Sequence, residues 1–206
     1  MLGITIGAAA CQKDSSATTE QNKAATTERK LAGVYPEQFK CESVMPNAEL
    51  GQVLGGEAHA LDSAMSVPRG LPHPCNYEVT INNAGEYWTF DFDCRDGYKQ
   101  RAEALFEQYR TGSTQLIEQY NALADAGAVK ANDAGISTAR PDPAVEVQVG
   151  IKGLDHHGQG LIFIDDDAPC YVRVIGPDAT HRLELAKALA KNLTFANAPM
   201  TPRPMP

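Results

Sequence analysis

The sequence predicts an α+β domain: a mainly antiparallel sheet with helices packed on it, in the order α-ββ-α-βββ-α. Several segments between positions 75 and 175 place apolar residues at every second position, the period of a half-buried strand. Three other segments place them three and four residues apart, the period of an amphipathic helix. The strands come in runs joined by short turns, which favours antiparallel neighbours, since parallel strands need long crossovers.

The folded part is expected over residues 34–196. Asn47 stands where it could cap a short helix, 47–54, with Gly55-Gly56 as its stop. Residues 57–74 carry Pro and Gly and read as a loop. Cys75, Tyr77, Val79 and Ile81 share one face of a first strand, and Trp88, Phe90, Phe92 and Cys94 share one face of a second. Asn82-Asn83-Ala84-Gly85 between them is a hairpin turn, because Asn and Gly tolerate positive φ. Tyr98, Ala102, Leu105, Phe106 and Tyr109 fall at helical spacing. Leu116, Ile117, Tyr120, Leu123 and Ala124 repeat that spacing after Gly112-Ser113, giving one kinked helix or two in series, ended by Gly127. Residues 129–143 read as a loop. Val145, Val147 and Val149 alternate in the next strand, 161–164 is a short apolar run, and Cys170, Val172 and Val174 share a face of the last. Asp165-Asp166-Asp167-Ala168-Pro169 forms the acidic turn before that strand. A closing helix, 179–193, sets Leu183, Leu185, Ala186, Leu189, Ala190 and Leu193 mainly along one stripe. Residues 197–206 read as a disordered tail.

Five cysteines are present. Cys11 stands apart; Cys41, Cys75, Cys94 and Cys170 form an even set with no C-x-x-C spacing, the pattern of two disulfides in an exported chain. Four cysteines allow three connectivities. The alternation puts Cys94 on the core side at one strand's end and Cys170 on the core side at another's start, which favours Cys41–Cys75 with Cys94–Cys170.

Residues 2–10 are uncharged and apolar or small, ending in Ala8-Ala9-Ala10-Cys11. This resembles a bacterial lipobox, in which the cysteine receives diacylglycerol once the leader is cut away. The resemblance implies a leader over 1–11 and a lipidated Cys11. Residues 12–33 are mostly Ser, Thr, Ala, Lys and Glu, too polar to fold alone, and read as a disordered tether. The leader is too short to span a bilayer, which takes about 20 apolar residues. The formal net charge is −8 and no run of Lys and Arg occurs. That argues against nucleic acid as a partner, and membrane attraction through a polybasic patch is unsupported as well.

A wider resemblance rests on the run from Cys41 through Pro46-Asn47 to Leu50, then Leu54-Gly55-Gly56, then Pro74-Cys75-Asn76-Tyr77. Val149-Gly150-Ile151-Lys152-Gly153-Leu154-Asp155 and the Leu183–Leu193 helix add to it. Together they resemble small, mainly actinobacterial lipoproteins of unknown function with a PsbP/LpqN-like fold. The resemblance implies an α/β/α sandwich and supplies no catalytic residues. Leu154 stands where the family turn has a second Gly, and Cys94 and Cys170 lie outside its pattern.

The most suggestive chemical cluster is Asp155-His156-His157, residue types that ligate zinc or manganese. A Gly-rich, solvated loop with Gly153, Gly158 and Gly160 is the alternative reading. Metal-dependent hydrolysis would need a further ligand such as His59, His73 or His181. Asp165-Asp166-Asp167 could meet calcium but lacks the remaining ligands of a calcium loop. Asp91 and Asp93, alternating with Phe90 and Phe92, read as a strand's solvent face. No nucleophile elbow or phosphate loop occurs.

The leading functional expectation is a non-catalytic binding or interaction module, lipid-anchored and outward-facing on the bacterial envelope. No cofactor is expected; an envelope protein, a lipid or a cell-wall component is the expected partner. The alternatives are the metal-dependent hydrolase at Asp155, His156 and His157, and a carrier with an apolar pocket lined by Trp88, Phe106 and Tyr120.

Overall fold

A computed structural model of the chain describes residues 31–63, 66–127 and 141–205. Alternating apolar residues pair up into one seven-stranded sheet in which every neighbouring pair is antiparallel. Its strands are β2 (Glu57–Leu61), β3 (Cys75–Ile81), β4 (Ala84–Asp93), β5 (Val145–Val147), β6 (Lys152–His156), β7 (Gly160–Ile164) and β8 (Tyr171–Ile175). Their spatial order is β2-β3-β4-β8-β7-β6-β5. Three helices accompany them: α1 (Asn47–Leu54), α2 (Tyr98–Asp125) and α3 (Ala179–Asn192). A separate two-stranded ladder joins β1 (Leu31–Ala32) to β9 (Arg203–Pro204). The α+β class, the antiparallel sheet and both disulfides are as the sequence predicts.

Period-2 alternation divides the sheet into two faces. Cys75, Tyr77, Val79, Trp88, Phe90, Phe92, Leu161, Phe163, Val172 and Val174 form one face, packed under α1 and α3 with Leu50, Leu54, Leu185 and Leu189. Leu154, Ile162 and Ile164 form the other, under Ala102, Phe106 and Tyr109 of α2. Both sides of β7 are therefore covered, and all five of its residues are buried. The result is a helix–sheet–helix layering.

Two disulfides staple this sheet. Cys41–Cys75 ties a 3-10 turn, Cys41–Ser43, to the start of β3; Cys94–Cys170 ties the residue after β4 to the residue before β8. They form in oxidising compartments, so the domain is suited to an extracellular or periplasmic setting. Among the described residues no helix is long and apolar enough to cross a membrane.

The hairpin turn between β3 and β4 tightens to Asn82-Asn83, both at positive φ, closed by the Ile81–Ala84 pair. This is the two-residue loop whose twist matches the strands. The first helix runs over the expected residues, and Gly55, at φ 68°, ends it. Its cap differs: the preceding position is Pro46, and Asn47 is the first helical residue, with a buried Oδ1 lacking a partner.

Three further expectations are corrected, and one left open is decided. Residues 57–61 are an edge strand rather than loop, since pairing with β3 satisfies a mostly exposed segment whose alternation is carried only by the small Ala58 and Ala60. Residues 152–156 are a strand, considered below. Of the two arrangements expected around Gly112-Ser113, the structure has the one helix: α2 runs through as a single 28-residue element. Ser113 is buried there, its Oγ donating to the Asp142 carbonyl and accepting from the Ala144 N–H, so it anchors the approach to β5. Finally, residues 31–33 and 197–205 do not read as tether and tail: β1 pairs β9, and Ala198 and Met200 are buried. The expected leader with Cys11, and residues 12–30 of the tether, lie outside the described residues, as does most of the 129–143 loop.

Candidate functional site

Among the described residues, a cleft of about 750 Å³ lies at the end of the sheet where β4 hands over to α2. Four segments wall it: Tyr35–Glu37, residues 67–71, Cys94–Asp96 and the Met200–Arg203 approach to β9. Two of these adjoin the β1–β9 ladder, so the cleft sits where the chain enters the domain from its N-terminal tract. Arg69, Arg95 and Arg203 line it, against the carboxylates of Glu37 and Asp96. Tyr35, Pro68, Leu71 and Met200 supply apolar surface.

The lining residue Arg95 is held by Asp93. The last residue of β4 points to the α2 face and is buried. Arg95 donates through its backbone N–H at 3.1 Å, its Nε at 3.0 Å and its Nη2 at 2.6 Å. Arg101, one turn into α2, donates through Nε and Nη2, both at 2.8 Å. Arg101 also closes the β4–α2 turn by donating to the carbonyls of Asp96 and Arg95. Burial alone would raise the Asp93 carboxyl; the hydrogen bonds from Arg95 and Arg101 outweigh it and hold the group at about 2. Two guanidinium groups thus share one carboxylate, leaving cationic excess beside the cleft wall that Arg95 forms. Arg203 lies 3.4 Å from Asp96 and stacks over Phe195.

The Asp155-His156-His157 cluster is not brought together. Its first two members lie in β6, so their side chains leave opposite faces of the sheet. Asp155 meets α3, where Arg182 donates Nε and Nη2 to its two oxygens at 2.7 Å each, and Nη1 to the Gly176 carbonyl. His156 is buried beside Tyr109 of α2; its Nδ1 accepts from the Gly158 N–H, and its Nε2 is buried without a partner. His157 is exposed beyond the strand. Among the described residues no three His, Cys, Asp or Glu side chains are grouped to hold a metal ion. His59 stands beside Glu57 at the sheet edge, and His181 packs against Trp88.

The acidic turn is likewise structural. Asp165 is buried, and its Oδ1 accepts the backbone N–H groups of Asp167 and Ala168, while Asp166 and Asp167 are exposed. Burial drives its carboxyl up to about 6, against the lowering effect of those N–H groups. The apolar pocket is also corrected. Trp88 faces α3, Phe106 faces the opposite side of the sheet, and Tyr120 lies in the outer, largely exposed half of α2. The three share no cavity.

Asp91 and Asp93 do not form a free solvent face. Asp91 accepts from Arg173 of β8 at 3.0 Å, and Asp93 is buried as described. Sequence reasoning missed every cleft arginine. Arg69, Arg95 and Arg203 are far apart in the chain, and an aspartate alternating with Phe looks alike whether water or a guanidinium covers it. Comparison with family models, with curated proteins and with solved structures finds no match for this chain.

Proposed function

We propose that the protein is an envelope lipoprotein, anchored through Cys11, whose domain is a non-catalytic binding module with the arginine-lined cleft as its binding site. The observation that carries this reading is the cleft's position beside the β1–β9 ladder, where the chain arrives from Cys11. The small residues before Cys11, the polar tract after it and the resemblance to lipoproteins of PsbP/LpqN-like fold support the anchor. The two disulfides support export.

A binding role is supported by how the carboxylates on the sheet are used. Asp93, Asp91 and Asp155 are each taken by guanidinium partners. General acid–base catalysis favours a group that exchanges protons near the working pH, whereas Asp93 is held at about 2. Bacterial cells expressing the full chain test the anchor. The wild-type chain is expected in the membrane fraction in a detergent-extractable form, with Cys11→Ser losing mobility in detergent phase separation. A wild-type chain that fractionates as Cys11→Ser does would refute the anchor.

A further inference from the structure

We propose that the cleft and its rim dock on the headgroups of an anionic phospholipid leaflet. This deepens the tethered reading by naming what the cleft end of the domain meets. Leu31 is 58% exposed, Tyr35 45% and Met205 50%. Leu31 pairs with Pro204, next to Met205, and Tyr35 lines the cleft beside Arg203, so all three surround one end of the domain. Exposed apolar side chains rimmed by cations fit a lipid–water boundary. Their apolar parts can leave water while guanidinium groups meet phosphates. A tyrosine at headgroup depth suits both its ring and its hydroxyl.

Charge complementarity selects an anionic surface. In a chain of formal net charge −8, the fold gathers Arg69, Arg95 and Arg203 around one cleft. The side chains of Arg95 and Arg203 are 37% and 42% exposed, and Arg69 is exposed. Arg101 stands behind Arg95 on the shared Asp93. The opposing groups are Glu37, which is exposed, and Asp96, which Arg203 partly neutralises. The chain outside the described residues also points this way: the segment carrying the apolar leader and Cys11 joins the domain at Leu31, on the same rim.

The test is co-sedimentation of the full Cys11→Ser chain with phosphatidylcholine vesicles, pure or carrying about 30% phosphatidylglycerol. The leader and the tract after it are the same in every variant compared, so their share of binding cancels between variants. Binding is expected to be at least about fivefold tighter on the anionic vesicles and to weaken with salt. Arg69→Glu with Arg203→Glu is expected to erase that preference, while Lys187→Glu on α3, outside the cleft lining, keeps it. Tyr35→Ser with Met205→Ser is expected to weaken binding to anionic vesicles with the thermal transition unchanged, which separates lost docking from lost folding. Equal binding to both vesicle types overturns the proposal, as does a preference that survives the double charge reversal. So does saturable binding of glycerol phosphate with no vesicle binding, which would make the occupant a soluble anion. The chain used carries no lipid on Cys11, so this outcome is independent of whether the anchor itself is found.

Discussion

Asp93 and Asp165 are both buried aspartates at the ends of strands, and their surroundings send them in opposite directions. Asp93 receives five hydrogen bonds from two arginines and sits at about 2. Asp165 receives two backbone N–H groups on one oxygen; its other oxygen is buried without a partner, and the group rises to about 6. The two therefore act in different pH windows. Asp93 contributes stability that is present above about pH 4 and lost as pH falls through about 2. Asp165 titrates higher folded than unfolded, so its contribution is complete below about pH 4 and is lost as pH rises through about 6. Asp165→Asn keeps an acceptor for the two N–H groups and removes the charge. Relative to wild type, the variant is expected to gain stability between pH 4 and 6, by up to about 3 kcal/mol at 1.36 kcal/mol per pKa unit. Thermal unfolding of both chains across that range checks it; parallel curves would contradict it. Neither environment was legible in the sequence, where both residues look like ordinary surface acids.

Among the elements, legibility followed the alternation. Strands β3 and β4 and helix α1 were readable because most of their large apolar residues go to one side and a glycine or an Asn pair bounds them. Strand β6 was not, because the positions that face the α1–α3 core hold Gly153 and Asp155 rather than apolar residues. Each has a physical reason. The space a Cβ on Gly153 would occupy is filled by Val149 and Val147, whose methyl groups would lie 2.7 and 2.9 Å from it. Asp155 is neutralised by Arg182, which is fully buried. That pair pins α3 to β6, and its contribution belongs to the element contact rather than to either residue. Arg182→Met is expected to cost about 3–5 kcal/mol in denaturant unfolding by stranding a buried carboxylate. Replacing Asp155 by Leu in the same chain is expected to recover much of that loss. A single variant within about 1 kcal/mol of wild type would show that the pair does not hold the layers together.

At the scale of the molecule, the sequence carried the class, the sheet's main strands and the disulfide pattern, but not the cleft. Its walls come from four segments between Tyr35 and Arg203, brought together by the β1–β9 ladder and by the Cys94–Cys170 bridge across 76 residues. A chain with no linear run of Lys and Arg can still present three arginines at one end, because the clustering is made by topology. The same topology separates Asp155 from His156, which adjacency in sequence had made look like one site. The tethered-module reading joins these features: export, two bridges, and a cationic cleft on the side where the N-terminal tract arrives.

Intact-mass spectrometry of the protein extracted from membranes, with and without reductant, tests that reading most directly. The expected species begins at Cys11, carries a diacylglyceryl group there, and gains the mass of four hydrogens when its two disulfides are reduced. A chain with an unmodified Cys11, or one whose mass does not change on reduction, would contradict it.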